Sequence, residues 1–400
     1  MSPPAHGRWL ILAGVWFIYA TFGLVASSLA PLVALIEADL GMRHATMGGI
    51  MGAWQLVYIA AALPCGMVLD RLGSRHALLL GALSIALSAA WRGAAGDATA
   101  LLAAVMLFGV GGPIISAGAP KVIATWFQGP SRGLAMGVYI TGPAVGGVVS
   151  LTLTHAWLLP LLAGDWRRLL WIWAALAAAA GIVWWVIASL PGLRPLADQR
   201  RPADSAPQRI VITGLLRDPS VRLVIAMGIG VFLISHGLTN WLPELLRHGG
   251  MDAVAAGYWA ALPVAVGIAG SLMIPRLAVP ARRFLILHGL CAALLAATVL
   301  LQFTHDAALF PGLVLQGIAR SSLMTVMLLT LVEMPAVGPH HTGTAAALFF
   351  GAAEVGGMLG PLLLGLLYDF THGFAAGLAL LAVIGTGLVV GSRRLQRQLA

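Results

Sequence analysis

The sequence predicts an all-α membrane protein of twelve transmembrane helices, built as two six-helix bundles related by pseudo-two-fold symmetry. Three observations carry that prediction. Only 9% of the residues are charged and 60% are hydrophobic, whereas soluble domains carry about 25% charged residues. The apolar residues fall into twelve runs long enough to cross a bilayer, separated by short polar turns. The two halves also repeat. Gly133-x-Ala135 and Val145-Gly146-Gly147 return 210 residues later as Gly343-x-Ala345 and Val355-Gly356-Gly357, and Gly109 returns 208 residues later as Gly317. Glycine is common here, at 49 residues, so short matches arise by chance. A nearly constant offset at three loci favours a true repeat.

Span 1 covers about 9–35; it is long enough to be a retained helix, although Val25–Ala30 faintly resembles a cleavage site. Span 2, about 46–68, and span 3, about 76–95, flank the polar island Gly66–Arg75, which reads as a tight hairpin at a membrane surface. Spans 4, 5 and 6 lie near 98–126, 132–158 and 166–190. The arginine-rich stretch 191–219 is the longest hydrophilic segment and the natural linker, which gives bundles 1–190 and 220–400. Spans 7 to 12 lie near 220–247, 253–275, 282–303, 306–334, 342–368 and 373–392.

An even number of spans puts both termini on one side. With the N-terminus inside, sixteen arginines fall in cytoplasmic positions and five outside, with Lys121 and Arg320 within spans. The positive-inside rule then makes both termini cytoplasmic in a plasma membrane, here a bacterial inner membrane. The same rule explains the net charge of +9 without nucleic acid as a partner. Cys65 and Cys291 lie in apolar runs and read as small buried hydrophobes. No metal-ligand spacing and no nucleophile–base pair occurs, so no cofactor, metal site or catalytic residue is expected, and the chain is expected to be a monomer and not an enzyme.

The spacing Gly66-x-x-x-Asp70-Arg71-x-Gly73-x-Arg75 resembles the loop between helices 2 and 3 of the major facilitator superfamily, a family of twelve-helix secondary transporters. Trp126-Phe127 with Arg132-Gly133-x-Ala135-x-Gly137, the span count and the linker extend the resemblance over most of the chain. It implies a central cavity lined by helices 1, 4, 7 and 10, with the site at the bundle interface near the midplane. Gly52–Tyr58, Gly118–Lys121 and Glu354–Gly357 with Gly360-Pro361 resemble the cyanate and nitroimidazole transporter group, neighbours of the nitrate/nitrite porters. The sequence departs from cyanate transporters in lacking an arginine in helix 1, and from nitrate porters in lacking one in mid-helix 2 or 8. Proton-coupled drug exporters place an arginine in helix 4 where Val105 stands.

Ionisable groups deep in spans cost roughly 2.5–3.5 kcal/mol to insert, so each needs a partner or a task. Arg320 sits at the centre of span 10, roughly 10 Å from a comfortable interface, too far to snorkel easily. Its planar fork suits an anionic group of a substrate, and the competing reading is an ion pair with Glu354. Gln316, four residues earlier, shares its face. Glu354 lies in mid-span 11, where a desolvated carboxyl serves proton coupling or neutralises Arg320. Lys121, the one lysine in the chain, is a substrate or gate candidate with snorkelling as the alternative. Phe232, Ser235, His236, Thr239, Asn240 and Pro243 form one polar stripe on span 7, which suits a water-facing wall; bonding to neighbouring helices is the alternative. Tyr19, Gln55, Tyr58 and Tyr139 are further cavity candidates, set against the usual role of membrane tyrosines as interfacial anchors. Gly142-Pro143 and Gly360-Pro361 are candidate bending points for alternating access, with simple packing as the alternative. Asp70, with Arg71 and Arg75, is a candidate latch of the inner gate, able to pair with an arginine or to stand at the start of a neighbouring helix.

The expectation is a secondary transporter of a small anionic solute, with the bilayer and protons as its other partners. Proton-antiport export of drug-like compounds and a non-transporting membrane sensor of the same fold are the alternatives.

Overall fold

The computed structural model describes residues 5–191, 193, 208–303 and 307–399. Most of the expected linker, including Arg194, Arg200 and Arg201, lies outside the described residues. Among those described, all regular structure is helical, and twelve helices are long and apolar enough to cross a membrane. In chain order the elements are α1 (Ala5–Ala26), α2 (Val33–Leu40), α3 (His44–Ala94), α4 (Ala98–Trp126), α5 (Pro130–Ile140) and α6 (Gly142–Leu153). A π-turn at Thr154–Leu158 leads to the short α7 (Leu159–Leu161), followed by α8 (Trp166–Ser189), α9 (Gln208–Arg217) and α10 (Pro219–His248). The chain ends with α11 (Ala253–Leu277), α12 (Arg283–Leu300), α13 (Leu309–Val332), α14 (Gly338–Thr371) and α15 (Ala375–Leu399).

Local sequence sets the helix starts. Asp97, Asp165, Asp218 and Asp252 each stand just before a helix and accept backbone N–H bonds from its first turn at 2.8–3.1 Å. Each satisfies donors that the helix itself cannot. Four of the 14 acidic residues are thereby accounted for at the ends of spans.

Spans 2 and 3 form one element, α3, bent at Gly73. The expected hairpin loop shrinks to that residue, with φ 72° and ψ 161°. A side chain is strained at this φ, so glycine is what permits a turn this tight. Asp70 and Arg71 therefore end one helix, and Ser74 and Arg75 begin the next.

The chain divides into two compact units, Met1–Met42 with Ala53–Arg201 and Arg43–Gly52 with Pro202–Ala400. The repeated glycines do the same work in each. In the first unit, a Cβ on Gly146 of α6 would collide with the Ala20 carbonyl of α1, and one on Gly109 of α4 with the Trp54 carbonyl of α3. In the second, Gly356 of α14 lies equally close to the Ile229 carbonyl of α10, and Gly317 of α13 to the Pro263 carbonyl of α11. Without water to bury from, helices in lipid gain from close backbone contact, and glycine makes that contact possible.

Residues 43–52 group with the second unit, not with the bundle 1–190 expected from the sequence. Gly48 and Gly52 lie against the backbone of Pro361 and Met358 in α14. The Ala45 N–H donates to Asp369 at 2.9 Å. The His44 ring stacks on Tyr368 at 3.8 Å and on Trp241 at 5.0 Å.

Candidate functional site

In the second unit the informative groups lie on α10, α13 and α14. Arg320 is the twelfth of the 24 residues of α13, at the middle of a membrane-length helix. Its side chain is half-buried and makes no ion pair among the described residues. His236 of α10 is its electrostatic neighbour. The α10 stripe is ordered from within: Asn240 Nδ2 donates to the His236 carbonyl at 2.9 Å, and the Phe232 ring leans on the imidazole at 5.1 Å. Three polar atoms here are sealed from solvent with no hydrogen-bond partner among the described residues: Ser235 Oγ, Gln316 Oε1 and Glu354 Oε2. Buried polar atoms are normally paired, so such a set asks for water, a proton or a solute.

The direct Arg320–Glu354 ion pair weighed from the sequence is not formed; no nitrogen–oxygen approach within 4.0 Å links them. Glu354 is 8% exposed, and burial is the influence acting on it. Sequence spacing could not decide the pairing, because it fixes neither the rotation of α13 nor that of α14.

In the first unit the expected tyrosines belong to an aromatic network. Tyr19 of α1 stacks on Tyr139 of α5 at 5.5 Å and on Phe22 at 5.6 Å. Phe22 continues the stack to Phe108 of α4, and Trp54 of α3 sets its edge against Phe108 and Tyr58. The Tyr58 hydroxyl donates to Ser116 Oγ at 2.9 Å, and Ser116 donates to the Gly112 carbonyl. Gln55 is fully buried.

Lys121 does not stand in either group. Its ammonium pairs with Asp70 at 3.0 Å, with Asp70 three-quarters exposed. Lys121 and Asp70, both gate candidates from the sequence, are thus paired with each other; the arginine named as a possible partner of Asp70 is replaced in this pair by a lysine. The adjoining Arg71 is exposed. Arg75 lies over the Trp185 ring at 5.3 Å while its carbonyl accepts from Trp184 Nε1 at 3.0 Å. The two proline sites also differ. The regular hydrogen bonding is interrupted at Thr141, immediately before Gly142-Pro143, although its backbone stays helical (φ −73°, ψ −20°), whereas α14 runs without interruption through Gly360-Pro361.

Sequence reasoning missed Arg92, counting it only among the outside arginines. Its guanidinium is 2% exposed, donates to the Val25 carbonyl at 2.9 Å and to Ser28 Oγ at 3.3 Å, and lies over Phe108. It also missed Trp54, Phe108 and Ser116, which hold the tyrosines. Their signal was present as polar or aromatic residues in mid-span, but packing alone explained them equally well.

The family profile described as Major Facilitator Superfamily matches residues 15–361. The chain belongs to the major facilitator superfamily. A transporter of Bacillus subtilis (strain 168) named YycB is 24% identical over 392 residues, covering 96% of this chain and 92% of that protein. The D-galactonate transporter of Escherichia coli O6:H1 is 23% identical over 425 residues, covering 96% and 94%. The crystal structure of a mutant of the nucleoside transporter NupG superposes with a TM-score of 0.77 at 14% identity, covering 98% of this chain and 100% of that one. That likeness shows the superfamily fold. A member of this superfamily with twelve membrane-length helices is a multi-pass membrane protein and a secondary transporter of a small solute.

Proposed function

We propose that this transporter moves a small organic anion by alternating access, with Arg320 holding the carboxylate and Glu354 exchanging a proton during the cycle. The observation that carries the reading is Arg320 itself, a guanidinium in mid-membrane with no ion pair among the described residues. A charge placed there needs a counter-ion, and an anionic cargo is one that comes and goes. The planar fork suits a carboxylate through two parallel hydrogen bonds. The polar stripe of His236 and Asn240, with the orphaned oxygen of Gln316, supplies further polar groups in the same unit. The names of several relatives support an acid as cargo: transporters of D-galactonate, galactarate/D-glucarate and gallate.

The finer placing, beside cyanate, nitroimidazole and nitrate/nitrite transporters, rests on the segments 52–58, 118–121 and 354–361. A second reading, proton-antiport export of drug-like compounds, is favoured by the relatives named for puromycin and quinolone resistance. Gating by Asp70, Arg71 and Arg75, and bending at Gly142-Pro143 and Gly360-Pro361, complete the proposed cycle. A site at Lys121 is the least supported part, since Asp70 holds its ammonium.

The test is uptake of organic acids into proteoliposomes. Arg320→Ala is expected to lower uptake about a hundredfold, and Arg320→Lys about tenfold, because lysine restores the charge without the fork. Uptake by folded Arg320→Ala equal to that of the parent would remove Arg320 from the site.

A further inference from the structure

The last helix of the second unit, α15, carries a stripe of two characters. Val383 and Val390 are 69% and 60% exposed, and Gly387 between them has open space around it. At about 100° per residue these three fall in one line along the helix, and the line continues through Arg394 and Arg397, both exposed. Apolar side chains turned outward from a membrane helix meet lipid tails. On α15 that apolar face runs directly into two guanidinium groups. Val383 to Arg397 spans about 21 Å at the helical rise. Half of a bilayer's hydrocarbon core is about 15 Å thick, so the stripe has the length of one lipid chain with its headgroup.

A third arginine comes from α10, which runs antiparallel beside α15. Gly230 of α10 lies against Ile384 and Leu388, and Gly391 of α15 against Met227 and Leu223. At the end of the seam Ser220 Oγ donates to Gln398 Oε1 at 3.2 Å. The start of α10 is therefore level with the end of α15. Arg222, exposed, stands level with Arg397, and the helical repeat turns it to the same side of the seam as Val390 and Arg394. None of Arg222, Arg394 and Arg397 makes an ion pair among the described residues. The acid at this end of α10, Asp218, is taken up by the N–H groups of Ser220 and Val221. Three cations thus share one end of an apolar track without a counter-charge.

We propose that this face of the second unit binds an anionic phospholipid, with the phosphate on Arg222, Arg394 and Arg397 and an acyl chain along Val383, Gly387 and Val390. The planar fork of arginine suits phosphate oxygens. Basic residues near a membrane surface attract anionic lipids in general. The apolar stripe in line with the arginines is what makes a lipid, and not a free anion, the occupant. A glycine at 387 leaves the space between the two valines in which a chain can lie. The site uses none of the groups assigned to the cargo.

Native mass spectrometry of the purified full-length chain tests this, with dioleoyl-phosphatidylglycerol and dioleoyl-phosphatidylcholine offered in equal amounts. The parent is expected to retain the anionic lipid at least about fivefold more than the zwitterionic one. The double variant Arg394→Gln with Arg397→Gln is expected to lose most of that preference. The control pair Arg43→Gln with Arg168→Gln removes two exposed charges elsewhere and is expected to keep it. Glycerol 1-phosphate, the same phosphate without acyl chains, is expected not to displace the lipid. Equal retention of the two lipids by the parent, an undiminished preference in the first double variant, or an equal loss in the control pair overturns the site. Displacement by glycerol 1-phosphate overturns the lipid in favour of a free anion. A dimeric parent whose first double variant is monomeric overturns it in favour of a second copy of the chain.

Discussion

Arg92 and Glu354 pose opposite versions of one problem, a charge-bearing group buried inside the protein, Arg92 in the last turn of its helix and Glu354 at the middle of its own. Arg92 is held by its neighbours: the Val25 carbonyl, Ser28 and the Phe108 face all receive the guanidinium. Val25 lies in the last turn of α1, where the helix dipole favours a cation, and its carbonyl also accepts from the Ser28 hydroxyl at 2.9 Å. Its task is structural. Glu354 has no such reception; its Oε2 is sealed and unpaired, and no cation is paired with it among the described residues. A carboxylate left ionised there carries a penalty of several kcal/mol. A proton that arrives and leaves during the cycle removes that penalty when the carboxyl stands alone. Glu354→Gln mimics the protonated form. It is expected to fold and to bind the cargo nearly as the parent does, while uptake driven by an imposed proton gradient falls about tenfold or more. Uptake that responds to the gradient as fully as in the parent would assign Glu354 a structural task instead.

At the scale of elements, the helices pack through glycines placed with single-residue precision. Gly356 of α14 lies against the Ile229 carbonyl, while Gly351, five residues earlier on the same helix, has open space around it. Gly356→Ala should therefore push α14 from α10 and destabilise the second unit by about 1–3 kcal/mol. Gly351→Ala should be neutral or stabilise by up to about 1 kcal/mol, since alanine is the better helix former. Thermal unfolding of the two detergent-solubilised variants measures the contrast, and equal midpoints would refute it. The sequence displayed both glycines alike; the repeat at an offset of 210 marked Gly356 and its counterpart Gly146, but nothing local distinguished Gly351 as idle. The aspartate caps were not named from the sequence, although each is a local signal, since an aspartate caps the helix that follows it and needs no distant partner. The Gly66–Arg75 island was read correctly as a turn and wrongly as a loop, since only Gly73 leaves the helical region.

For the whole molecule, twelve spans and the arginine asymmetry argue that both termini face the cytoplasm. The loop between α10 and α11 is then outside, and the loop between α11 and α12 inside. Met251→Cys is expected to react with a membrane-impermeant maleimide added to intact cells, and Ala281→Cys to react only after the membrane is opened. The native thiols Cys65 and Cys291 are both buried, which keeps the background low. Reversal of the two labelling patterns would invert the proposed topology.

By itself the sequence determined the spans, the internal repeat and the superfamily. These are local or periodic properties: lipid offers no hydrogen bonds, so every backbone group must be satisfied within its own helix, and hydropathy records that requirement directly. Which buried polar groups meet was decided only by tertiary structure. Asp70 finds Lys121, 51 residues away; Arg92 finds Val25, 67 residues away; Tyr19 meets Tyr139 across the first unit; Arg320 and Glu354 do not pair. Each outcome depends on the rotation of one helix about its axis against another. That rotation is set by side-chain and glycine contacts between helices distant in sequence, which no single span encodes.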